Sequence, residues 1–83
     1  MVSLLAAVRV AARWLQIEPA EAGARAEQLP ELDAVCVRMT SGRAVLVGCD
    51  LRPLVGEPGV GLSQLRADFA AGWRTDYAGV RVA

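Results

Sequence analysis

The segment Ala34-Val-Cys-Val-Arg-Met-Thr-Ser-Gly-Arg-Ala-Val-Leu-Val-Gly48 constrains the fold more than any other stretch of the chain. Two runs rich in β-branched residues flank a Ser41-Gly42 turn signal, which is the pattern of a β-hairpin over about 34–48. With Ser41-Gly42 as a two-residue loop, Thr40 faces Arg43 and Cys36 faces Val47. Val35, Val37 and Met39 then share an apolar face with Ala44, Leu46 and Gly48, and that face must pack on helices. The opposite face carries Cys36, Arg38, Thr40, Arg43, Val45 and Val47.

Helices are expected on both sides of this hairpin in the sequence. Leu4, Leu5, Val8, Ala12 and Leu15 recur at helical spacing, so a helix is predicted over about 2–16. Val10 and Trp14, with Ala7, make a second apolar face beside a narrow polar stripe of Arg9, Arg13 and Gln16. A helix with two apolar faces is either sandwiched inside the domain or turns one face to another chain. Residues 18–29 suit a short helix with Pro19 at its first position, weakened by Gly23 and ended by Leu29-Pro30. The stretch 50–61 is rich in Pro and Gly and reads as an irregular connector. A further helix is expected over about 62–72, with Leu62, Leu65, Phe69 and Trp73 on one face and Ser63 as its N-cap. A short final strand is expected over about 80–82. The order argues an α+β domain, with a small antiparallel sheet covered by helices on one face.

The chain has 83 residues, enough for one domain, and a domain of this size has a thin stability margin. Its hydrophobic content is 54%, above the usual 45–50% or so of soluble domains. Apolar surface is therefore expected beyond the needs of the core, to be covered by a second copy or a partner protein. Val10, Trp14, Trp73, Val80 and Val82 are the candidate interface residues. Large aromatics dominate binding hot spots, and the final strand offers an edge for pairing.

Charge and chemistry narrow the function classes. All nine basic residues are Arg, there is no His, and the formal net charge is zero. Arg38, Arg43 and Arg52 lie close in sequence around the hairpin, and are candidates for gripping a phosphate or an acidic partner. Zero net charge disfavours nucleic acid as that partner. The serines have no base within a recognisable motif, and the two cysteines have no His to activate them, so no catalytic residue is expected. Asp50 is expected to cap the turn after the second strand. Gly56-Glu-Pro-Gly-Val-Gly61 lacks the Lys of a phosphate loop. No cofactor or metal is expected, since two lone thiols do not fill a tetrahedral shell. In the two-residue-loop register Cys36 and Cys49 lie diagonally, about 7–8 Å apart, too far for an unstrained disulfide. Both are expected to be free thiols in a reducing cytoplasm. No stretch reaches the roughly 18 apolar residues of a membrane span, and Arg9 and Arg13 break the apolar run of the N-terminus.

Residues 34–82 resemble a small bacterial family of unknown function. The likeness rests on Ser41-Gly42-Arg43, Asp50-Leu51, Pro53-Leu54 and Phe69: a strand, a Ser/Asp-Gly turn, a strand ending in Asp-Leu, a Pro-Leu connector and a helix containing Phe. The family resembles accessory domains found near helix-turn-helix regulators and toxin–antitoxin-like operons, which implies a regulatory or protein-interaction role. The family's last strand usually ends in Trp, where this chain has Val82, and the N-terminal helix has no counterpart. No functional residue is carried over. The reading from sequence is a non-enzymatic interaction module, as a homodimer or a small subunit. The alternative is a nucleic-acid-linked, antitoxin-like regulator working through the arginines.

Overall fold

The computed structural model describes residues 1–83. In chain order the elements are α1 (Leu4–Leu15), α2 (Pro19–Ala24), β1 (Ala26–Leu29), a 3-10 turn (Pro30–Leu32), β2 (Ala34–Arg38), β3 (Ala44–Gly48), β4 (Pro53–Gly56), α3 (Leu62–Ala70), β5 (Arg74–Thr75) and β6 (Arg81–Val82). Strands β1 to β4 form one antiparallel sheet in sequence order, and β5 and β6 form a separate two-stranded ribbon. The class is α+β, as expected.

The hairpin register differs from the predicted one by one residue. Cys36 lies opposite Leu46, and Arg38 opposite Ala44. Met39 N–H donates to Arg43 O at 2.8 Å, and Gly42 N–H donates to Met39 O at 3.0 Å. The loop is therefore Thr40-Ser41-Gly42, with Gly42 in the left-handed region at φ 97°. A three-residue loop needs a residue of that conformation at its third position, which glycine supplies without steric cost. The β5–β6 ribbon repeats the device. Asp76 N–H donates to Val80 O, Gly79 N–H donates to Asp76 O, and Gly79 has φ 81°.

The slip moves the side chains of β3 to the other face relative to those of β2. Val35, Val37, Val45 and Val47 together face α1 and α2, packing on Ala7, Val8, Ala11, Ala12, Leu15 and Ala22. Ala34, Cys36, Ala44, Leu46 and Leu54 face Leu65 and Phe69 of α3. Helices thus cover both faces of the sheet, not one. The central strands are apolar at nearly every position because both faces are buried.

On the α3 side, two glycines set how closely the helix lies. A Cβ at Gly48 would sit 2.9 Å from Phe69 Cζ, and one at Gly56 would sit 2.9 Å from Leu65 Cδ2. Gly61, not Ser63, caps the start of α3, and it does so without a side-chain hydrogen bond. The helix ends at Ala70, and Gly72 follows its cap Ala71 in the left-handed region at φ 98°. Gly72 N–H donates to Phe69 O and Trp73 N–H to Asp68 O, the paired closure of a Schellman motif. At α1, Ser3 is the cap, its Oγ accepting from Ala6 N–H at 3.3 Å. Gln16, φ 56°, stops the helix.

Three further expectations are corrected. Residues 26–29 form β1 instead of continuing the second helix. Ala, Glu, Gln and Leu favour helix locally, yet pairing with β2 from Ala26–Val37 to Leu29–Ala34 prevails. The connector holds β4, with Pro53 at the first position of an edge strand, where its missing N–H costs no ladder bond. Leu4 and Leu5 are exposed, while Ala7 and Ala11 are fully buried. The buried stripe of α1 is thus rotated from the predicted one, and its first turn overhangs the core.

Candidate functional site

The β5–β6 ribbon closes one end of the domain. Thr75, the one buried polar residue, accepts Val55 N–H on its Oγ1 at 3.0 Å, so a hydroxyl satisfies the outer edge of β4. Arg74 ties the ribbon to the rest of the fold. Its Nε donates to Asp50 Oδ2 at 3.0 Å, its Nη1 donates to the carbonyls of Phe69 and Trp73, and its guanidinium lies 3.7 Å from the Phe69 ring centroid. Arg81 pairs with Asp68, and the Arg81 hydrogen bond holds that carboxyl below its ordinary value.

Between this ribbon, α1 and the β3–β4 turn lies a cleft of about 410 Å³. Val10 and Trp14 form its α1 wall, and Leu51 and Tyr77 its apolar rim. Tyr77 at the ribbon tip is fully exposed, and Leu51 holds a left-handed backbone at φ 57°. Arg13 and Arg52 supply the positive charge. Asp76 also lines the cleft, but its Oδ1 accepts the N–H groups of Ala78 and Val80 and serves the turn. A volume of this size falls in the range of ligand or side-chain pockets, roughly 300–1,000 Å³.

The predicted interface residues divide. Val10 and Trp14 are half-buried at the margin of the α1-side core and open onto the cleft. Trp73 is 40% exposed, away from that cleft, beside Asp68 and Arg81. Val80 is exposed in the ribbon loop and Val82 is half-buried. The edge of the final strand is paired with β5 on one side.

The structure does not bring Arg38, Arg43 and Arg52 together. Arg38 lies on the Cys36 face and donates to Glu27 Oε2 at 3.0 Å. Arg43 reaches the opposite face, where its buried Nε lies 3.7 Å from Glu57 Oε2 without a hydrogen bond. Arg52 sits at the far end of the sheet, in the cleft. Asp50 does cap its turn, with Oδ1 accepting Arg52 N–H at 3.0 Å. Sequence reading missed Arg13, Leu51 and Tyr77 as cleft residues. The adjacency of Arg13 and Trp14 was the available signal; the ribbon that brings Tyr77 to them is a tertiary fact.

Both cysteines are free. Burial pushes the Cys36 thiol up to about 11. Cys49 is exposed and donates to Asp33 Oδ2 at 3.0 Å, which raises the thiol and lowers the carboxyl. Asp33 also accepts Val2 N–H and lies 3.8 Å from the N-terminal amine, tethering the start of the chain. No helix is long and apolar enough to cross a membrane. No protein-family model, curated protein or solved structure matches the chain.

Proposed function

We propose that this chain is a non-catalytic protein-interaction module of a reducing cytoplasm, acting as a small subunit or a homodimer, with the Trp14 cleft as its partner-facing surface. The observation that carries the reading is the gathering of Trp14, Tyr77 and two arginines around one cleft. Trp, Tyr and Arg are the residue types that concentrate binding energy at protein interfaces. Tyr77 is fully exposed at the rim of the cleft, so its ring is open to contact with another molecule.

Native mass spectrometry on untagged protein from the cells that make it tests this. The expected species is a dimer or a stoichiometric protein complex. Tyr77→Ala and Trp14→Arg weaken it at least about tenfold, or roughly 1.4 kcal/mol, with far-UV circular dichroism unchanged for Tyr77→Ala. A bare monomer, or one carrying only nucleic acid, contradicts the proposal.

A further inference from the structure

Most of the arginines in this neutral chain are already spoken for. Arg25, Arg38, Arg43, Arg66, Arg74 and Arg81 each lie in an ion pair with a carboxylate. Three have none: Arg9, Arg13 and Arg52. They are not scattered. Arg9 and Arg13 are one helical turn apart on α1, so they share a side of the helix, and Arg13 and Arg52 line the same cleft. All the uncompensated guanidinium charge thus follows one strip that ends beside Trp14 and Tyr77.

The neighbouring acids form no ion pair with these three arginines. Asp76 in the cleft receives two backbone N–H groups on one oxygen. Asp50, two residues from Arg52, turns its Oδ2 to Arg74 and its Oδ1 to the Arg52 backbone N–H, not to the guanidinium. Two arginines without a carboxylate partner, lining one cleft with Trp14 and Tyr77, suit a planar carboxylate with an apolar neighbour.

We infer that the cleft captures an acidic segment of a partner protein: one or two carboxylates meet Arg13 and Arg52, and an adjacent apolar side chain lies against Trp14. The inference rests on the interaction-module reading and specifies its partner. A protein segment fits better than a nucleic-acid strand. A nucleic-acid strand binds through a basic footprint of many phosphate contacts, which two cleft arginines in a chain of zero net charge do not supply.

The test is selection of a displayed library of short random peptides on immobilised full-length protein. Selected peptides are expected to be enriched in Asp or Glu next to an aromatic or aliphatic residue. Their affinity falls at least about tenfold in Arg13→Gln/Arg52→Gln, and falls with added salt. The Arg38→Gln variant, which alters an exposed and already paired arginine, leaves affinity unchanged. Circular dichroism confirms that each variant is folded. Enrichment of apolar residues without acids overturns the inference while leaving the interaction module standing. An unselected pool overturns the inference. An unselected pool together with saturable binding of poly-U overturns the module reading as well.

Discussion

Leu46→Ala lowers the stability of this domain by about 3 kcal/mol and its Tm by more than about 10 °C. Leu46 is fully buried in the middle of β3. It packs with Leu54, Leu65 and Phe69 between the sheet and α3. Its cross-strand partner is Cys36 on one side and Leu54 on the other, so the backbone around it is fixed by two ladders. A cavity opened there cannot close by a small shift of one loop, and the cost includes the lost contacts as well as the lost transfer energy. An 83-residue domain has a total stability of about 4–12 kcal/mol. A loss of this size is therefore read directly in urea or thermal melts followed by circular dichroism. A loss below about 1 kcal/mol would mean that the α3-side core is not packed as described.

Gly48→Val is the second large effect, and its sign is informative. Valine raises β propensity, a gain of at most about 1 kcal/mol. Against it stands the Phe69 ring, whose Cζ would lie 2.9 Å from the new Cβ. The ring has little freedom to swing away. Phe69 is buried, and its face carries the Arg74 guanidinium at 3.7 Å. Overpacking therefore prevails, and a net loss of about 1–3 kcal/mol is expected in a denaturant titration. Phe69→Leu in the same chain should recover part of it, because the two changes share one contact and do not add. A stabilised Gly48→Val would contradict the close approach of α3 to β3.

The two strands of the hairpin were legible because β-branched residues and a Gly-containing turn agree locally. Their register was not. Val35, Cys36 and Val37 are apolar in succession, as are Val45, Leu46 and Val47, so alternation does not distinguish one face from the other. The decision rests with Gly42, which sits at the third position of a three-residue loop. β1 was hidden by helix-favouring residues, and β4 by a proline that only an edge strand accepts. The site shows the same division. Val10 and Trp14 could be singled out from helical spacing. The arginines could not be sorted from sequence, because which guanidinium finds a carboxylate is decided by elements far apart in the chain. Arg66 with Glu31 and Arg74 with Asp50 are examples.

The central claim is that the face bearing Trp14 and Tyr77 meets another protein. Tyr77 is fully exposed at the rim of the cleft, so a photoreactive phenylalanine analogue can replace it without disturbing the core. Irradiation in the cells that make the protein should give a discrete protein adduct from position 77. The adduct should disappear in the Arg13→Gln/Arg52→Gln background. It should also be absent when the analogue is placed at the exposed position Val60, which lines a different depression beside α3. No adduct specific to position 77, or an adduct with nucleic acid alone, would contradict the account.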